Sequence, residues 1–242
     1  MPGSAPRISK VTIDGQVLWL KDFDQTSPSK WRSLQQAAFL VTRLEILRPV
    51  PSPAGVEGCE HEIEAMRRFR EAGARVPEIR WRRGAAIAIT DIGETLRLME
   101  ARGGQAAIEG GAIAAAGELS RIHAHGLAHG RPILRNLTWD GAAIGFLDFE
   151  EQPMSVMSRE AAQARDILLL LASLGRRNSK ELVKAAFDAY ATAMPPGVEP
   201  ELLRVTRLAP TLTGRLGKHL HRIGSRDLDG LTSALSAVAE RR

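Results

Sequence analysis

The chain has 242 residues, 44% hydrophobic and 25% charged, enough apolar side chain to close a core as one domain or two small lobes, and no apolar run is long enough to span a bilayer. Its single cysteine, Cys59, excludes an internal disulfide, and the opening MPGSAPRISK lacks the apolar core of a secretory signal, so the expected location is cytoplasmic, with at most peripheral contact at the inner membrane. The formal charge of +5, carried mostly by arginine, favours anionic partners in general, an anionic membrane surface included, and equally fits an Arg-rich solvated surface; with aromatics at 5% and none interleaved with basic residues, nucleic acid is not expected.

Residues Ile8 to Lys21 read as a β-hairpin. ISKVTI alternates, Asp14-Gly15 is a turn dipeptide, and VLWLK returns with Val17, Trp19 and Lys21 on one face and Leu18 and Leu20 on the other. Taken alone, Lys21 is an ordinary solvated lysine at a strand end. Lys30 to Leu47 has the period of an amphipathic helix ended by Pro49 and Pro51. It packs a lobe or touches a membrane or partner, and RPVPSPAGVEG after it is expected to be a flexible connector. EHEIEAMRRFREAG is the next helix, stopped at Gly73, with a strand starting at VPEI. On its wheel Glu62 falls between Met66 and Phe69, inside the apolar stripe that also holds Ile63, while Glu60 and Glu64 face solvent. A carboxylate aimed at a core needs a cation or loses its charge. AAIAIT is an apolar strand running into Asp91-Ile92-Gly93.

Ala106 to His125 reads as a helix whose stripe is Ile113, Ala116, Leu119 or Ser120, and His123. That makes His123 a hydrogen-bonded core histidine and His125 a surface one. The stretch HGLAHGRPILRNLTWDGAAIGFLDFE then carries most of the chemistry. A polar loop opening at His129 leads into two apolar runs, LTW and AIGFL, around Asp140-Gly141, the signal of a tight hairpin. Asn136 and Asp148 flank this hairpin, and two oxygen-bearing side chains beside a loop of His and Arg suit a hard cation together with phosphate. A zinc set of His123, His125 and His129 has no further ligand at the usual spacing. MSREAAQARDILLLLASLG is a strongly apolar helix ending at Gly175, in which a buried Asp166 must accept hydrogen bonds. KELVKAAFDAYATAM, a segment from Glu199 to Arg222 and another from Leu228 to Ala239 read as packing helices. Arg215, Lys218, His219, His221 and Arg222 form either an anion-facing patch or a solvated helix face.

His129-Gly130, Asn136 and Asp148-Phe149 resemble, in register, the catalytic and metal-binding segments of the protein-kinase-like superfamily. The likeness is to its small bacterial branches: lipopolysaccharide kinases, RIO-type kinases and aminoglycoside phosphotransferases. There His-Gly-Asp or His-Arg-Asp is followed five residues after the Asp by Asn, and later by Asp-Phe-Gly or Asp-Phe-Glu. The resemblance spans roughly residues 8 to 175. It implies a bilobal α+β fold, with a small β-rich N-lobe over 1–95, a helical C-lobe over 96–242, and an adenine-binding hinge near Thr90 to Glu94. It also implies ATP and Mg²⁺ as cofactors, with Lys21 on the phosphates and paired to Glu62, and Asn136 and Asp148 on the metal. His129 would hold the loop and the Asp148 segment, and Asp166 would tie down the loop backbone. The position of the catalytic Asp is Arg131, and Gly15 is all that stands for a glycine-rich loop. Arginine accepts no proton at accessible pH, and loss of a positioned base typically removes on the order of 10²–10⁴ in rate. Arg131 would instead grip a γ-phosphate or an anionic acceptor. Two functions follow: an ATP-dependent phosphotransferase whose acceptor is a lipopolysaccharide sugar, a small molecule or a protein, or an inactive pseudokinase that binds nucleotide or a protein partner.

Overall fold

The computed structural model describes residues 7–24, 44–214 and 225–241. Asp14 and Gly15 both take positive φ, 50° and 76°, which lets a two-residue turn follow the twist of the strands it joins, β1 (Ile8–Ile13) and β2 (Gln16–Asp22). β2 pairs in turn with β4 (Ala86–Thr90), and β4 with β3 (Ile79–Arg83), giving an antiparallel sheet of order β1-β2-β4-β3. The inner strand β4, AIAIT, buries Ile87, Ala88 and Ile89 in succession, so both of its faces are covered. Edge strand β3, IRWRR, is mostly exposed and arginine-rich, a composition that discourages further strand pairing.

Helix α1 (Gly55–Glu71) closes one face of this sheet. Its buried residues Cys59, Glu62, Met66 and Phe69 recur at three or four and form one stripe. A Cβ on Gly58 would sit 2.3 Å from the Pro53 carbonyl oxygen, so a side chain there would push the helix off its approach segment. The helix therefore begins before the expected Glu60, and the connector leading into it is not free. Leu44, Ile46 and Val50 are buried, the Pro51 carbonyl accepts from Gln152 N at 3.0 Å, and Glu45 accepts from Ser158 N at 3.1 Å. Residues Glu45–Leu47 are a single 3₁₀ turn entered from an extended Leu44, rather than the end of an α-helix. The rest of the expected 30–47 helix, and the basic 215–222 segment, lie outside the described residues.

The remainder is helical apart from one hairpin. α2 (Leu96–Gly103), capped by the Thr95 hydroxyl accepting from Leu98 N, was not signalled by the sequence pattern. α3 (Glu109–Ala124) buries the expected Ala116, Leu119, Ser120 and His123 and widens that stripe with Ala112, Ala115 and Ile122, leaving Ile113 at its margin. β5 (Leu137–Trp139) and β6 (Ile144–Phe146) pair across a four-residue loop, longer than the tight turn expected. The Asp140 carboxylate accepts from Ala142 N and Ala143 N at 2.9 and 2.8 Å and so holds the wider loop without a ladder bond. α4 (Arg159–Gly175) is buried almost all round, as its leucine run requires, and α5 (Lys180–Ala191), α6 (Val198–Gly214) and α7 (Ser225–Ala239) pack about it. The described residues thus form the expected α+β arrangement, a β-rich N-terminal part followed by a helical one.

Candidate functional site

Lys21 lies one residue from the end of β2, opposite Ile87 of β4. Strand alternation turns it toward α1, where it is only 4% exposed. Its ammonium donates to Glu62 Oε2 at 2.6 Å and to Asp148 Oδ1 at 2.7 Å, and lies 2.7 Å from Glu150 Oε1. Glu62 arrives on the buried stripe of α1. Asp148 and Glu150 arrive on the segment leaving β6, where Asp148 has φ of 68°. Both carboxylates reach Lys21, while Phe149 between them turns into the core against Phe69 and His129, each 4.7 Å away between ring centroids. Glu150 also pairs with Arg7, the residue before β1.

Three carboxylates thus meet two cations, leaving one negative charge in excess when all are ionised. The consequences appear group by group. Burial pushes the Glu62 carboxyl up to about 7, with Lys21 opposing and the Asp148 and Glu150 charges adding. Burial likewise raises Glu150. For Asp148 burial acts against the charge, but Lys21 more than offsets it and holds the carboxyl below the usual carboxylate range. Burial also acts against the Lys21 charge, and the three carboxylates more than offset that, holding the ammonium above its ordinary value.

Such a nest fits a hard cation. Ligand oxygens of Glu62, Asp148 and Glu150 lie within 4.8 Å of one another, and a divalent ion would more than offset the single surplus charge. Asn136, the residue before β5, is buried, and its Nδ2 donates to the Arg131 carbonyl at 3.0 Å, so the amide oxygen is the end left for a cation. Its own carbonyl accepts from Leu147 N at 2.9 Å, which pins it beside the residue preceding Asp148.

The loop before Asn136 is held from beneath by α4. Asp166, fully buried, accepts from His129 N at 2.6 Å and Gly130 N at 3.0 Å. The Arg165 guanidinium donates to the Gly130 carbonyl and, at 2.7 Å, to Glu151. A Cβ on Gly130, whose φ is 94°, would sit 2.9 Å from both Cβ and the carbonyl oxygen of Glu151, so only glycine lets the two strands of chain touch. Burial lowers the His129 pKa, which keeps the ring neutral, and its Nδ1 accepts from Arg131 N at 3.2 Å. The ring stacks on Phe149 with 29° between planes. His129 therefore links the loop to the Asp148 segment by packing. Arg131 stands outside the nest, 42% exposed in its side chain, with Glu151 as its nearest carboxylate at 3.7 Å.

Lys21, Glu62 and Asp148, proposed from separate parts of the sequence, are in direct contact; Asn136 and His129 bracket them, and Arg131 does not join them. Sequence reasoning missed Glu150 and Arg7 as members. Nothing in the local sequence pattern pointed to either: Asp148 leaves the strand with a positive φ, so alternation does not carry through to Glu150, and Arg7 is far away along the chain. The three histidines do not converge: His123 Nδ1 bonds the Tyr190 hydroxyl at 2.7 Å inside the core, His125 is exposed, and His129 is engaged as described. At the expected hinge, Glu94 O accepts from Trp139 N at 3.1 Å and Asp91 accepts from Trp19 Nε1 at 3.1 Å. A separate cavity of about 210 Å³ opens behind His129 and Phe149, lined also by His61 and Arg68 of α1.

No family model matches the chain. A stretch of 55 residues is 42% identical to an uncharacterized protein of Haemophilus influenzae (strain ATCC 51907 / DSM 11121 / KW20 / Rd), covering 23% of this chain and 22% of that one, so the match spans about a fifth of that relative's length. Among solved structures the chain is similar to the Rio2 kinase-ADP/Mg²⁺-phosphoaspartate complex from Chaetomium thermophilum, at 19% identity and a TM-score of 0.47, over 97% of this chain and 68% of that one.

Proposed function

We propose that this chain is an ATP-dependent phosphotransferase of the protein-kinase-like kind, dividing near residue 95 into a nucleotide-facing N-terminal part and a helical part that carries the loop and acceptor side. The observation that carries the proposal is the buried Lys21 ammonium shared by Glu62 of α1, the partner that the motif resemblance gives it, and Asp148 beyond β6, which the resemblance puts on the metal. In this reading Lys21 swings its charge onto the nucleotide phosphates, Glu62 holds the lysine stem in place, and Asn136 and Asp148 hold Mg²⁺. Bound Mg²⁺ would supply neutralisation of phosphate charge. Glu150, beside Asp148, would share that task or retain Lys21 once Asp148 turns to the metal. His129 and Asp166 keep the loop backbone rigid so that these groups need not reorganise on binding.

Calorimetry of the purified protein with ATP, with and without Mg²⁺, tests this directly. Binding that requires Mg²⁺ and disappears in Asp148→Ala, with the melting transition still cooperative, is the expected result. Mg²⁺-independent binding, or equal binding by the variant, would remove Asp148 from the metal. A second reading, an inactive nucleotide-binding or protein-binding module, is favoured by Arg131 where a base is required. Arg131→Asp separates the two: restored phosphotransfer or ATPase turnover, by on the order of 10²-fold, supports a site lacking only its base, whereas no gain supports the inactive module.

A further inference from the structure

Lys21 is the inner end of a row. The residues of β2 that share its face are Val17 and Trp19, and the row runs from open to closed: Val17 is 52% exposed, Trp19 is half-buried and Lys21 is buried. Apolar surface therefore stands at the mouth of a charged site. The indole in this row is fixed. Its Nε1 donates to Asp91 Oδ2 at 3.1 Å, and the other oxygen of that carboxylate accepts from Gly93 N at 2.9 Å, so Asp91 ties the ring to the chain that leaves β4. Lys10 lies opposite Trp19 in the β1–β2 ladder, and its ammonium stands 4.8 Å from the ring centroid. Because Lys10 is itself exposed, the ring face beneath it opens to solvent. A cation over an exposed ring is a weak contact on a flexible stem. A stacked base covers more of the indole and is held more strongly, so it displaces the lysine.

The geometry points to Trp19 as the seat of the nucleobase. The base stacks on the indole face that Lys10 covers, and the sugar bridges the two strand residues, about 7 Å, that separate this ring from Lys21. This rests on the nucleotide-binding reading above and adds to it the side chain that holds the base and the force by which it does so. Stacking asks of a ligand only a π-face, and the gain grows with the size of that face. The class so defined is a purine nucleotide, favoured over a pyrimidine by the area of its ring system.

The test compares the full native chain with Trp19→Phe and Trp19→Leu. Each is titrated by calorimetry and by tryptophan emission with ADP, CDP and inorganic tripolyphosphate in the presence of Mg²⁺, and with adenosine alone. ADP is expected to weaken about tenfold in Trp19→Leu, and by less in Trp19→Phe, which keeps an aromatic plate. Tripolyphosphate should bind all three alike, showing that the variants are folded with the phosphate end intact. The preference for ADP over CDP should shrink in Trp19→Leu, and the quenching of native emission by ADP and adenosine should be largely lost in both variants. Equal ADP affinity in all three proteins, or a base preference that Trp19→Leu leaves unchanged, would overturn the seat. Tighter ADP binding by Trp19→Leu would overturn it too, as the sign of an indole that fills the space a base needs. Failure of the phosphotransfer proposal has a different signature: adenosine still quenches through Trp19, while Mg²⁺ adds nothing to the binding of ADP or tripolyphosphate. A native chain that binds neither ADP nor adenosine would sink both.

Discussion

Lys21 and Glu62 are the residues on which the electrostatics of the site turn, and Glu62 makes that measurable. Its carboxyl is raised from an ordinary 4.5 to about 7. The folded state therefore keeps this proton to higher pH than the unfolded chain does, and between pH 4.5 and 7 its contribution to stability falls as pH rises. Lys21, raised, and Asp148, lowered, change nothing in that window, because one loses its contribution only above pH 10.5 and the other only below 3.8. Half-buried His61 and buried His129, both lowered, act in the opposite sense, gaining stability as pH rises towards 6.5. Glu150, raised like Glu62, adds to its slope. The prediction is accordingly a difference. Denaturant unfolding of the native chain and of Glu62→Gln across this range should diverge by up to about 3 kcal/mol, the native chain losing stability relative to the variant as pH rises. Parallel curves would mean that Glu62 titrates normally.

At the scale of elements, α4 acts as the clamp of the loop. Its Asp166 meets two backbone amides, of His129 and Gly130, and its Arg165 meets the Gly130 carbonyl, so three consecutive peptide groups are tied to one turn of helix. Asp166→Ala leaves those amides buried without an acceptor. It should cost about 3 kcal/mol in unfolding free energy, since hydrogen bonds to a charged group are each worth about 1.5–3 kcal/mol. Amide hydrogen exchange should accelerate selectively at His129 and Gly130. Uniform acceleration over the chain would instead indicate global loosening. The helix was legible as buried from its leucine run, and Asp166 as an acceptor from its place in that run. The 3₁₀ turn at 45–47 and the start of α1 at Gly55 were not, because Pro49, Pro51 and Pro53 read locally as flexible chain. What pins them is burial of Leu44, Ile46 and Val50 and bonds to residues a hundred positions away.

Across the whole molecule the helical part is sealed where α4 crosses α7. Gly175 and Gly230 lie at the crossing: a Cβ on Gly230 would be 2.2 Å from the Ala172 carbonyl oxygen, and one on Gly175 would be 2.7 Å from Ser233 Cβ. Backbone that close admits no side chain, so Gly230→Val should lower stability by about 1–3 kcal/mol through overpacking. Affinity for Mg²⁺-ATP in the folded fraction should be unchanged, as the crossing touches none of the site residues. Concerted loss of both would mean that α7 positions the loop through α4. The N-terminal sheet is joined to this body at the site itself. Arg7 and Glu150, 143 residues apart, and Lys21 and Asp148, 127 apart, are among the contacts that close it, so the chemistry sits on the seam.

Local pattern determined the hairpin at Asp14-Gly15, the buried stripe of α1 with Glu62 in it, the inner strand AIAIT, and the leucine-rich α4. Each is set by side-chain period and turn chemistry within a few residues. The same logic put Asn136 and Asp148 beside one hairpin. Tertiary structure alone decided that Glu150 and Arg7 join Lys21 and that the connector at 44–54 is pinned. Coulomb energy and burial depend on distance through space, and the separations that set them here were fixed only when β2, α1 and the segment after β6 came to rest against one another.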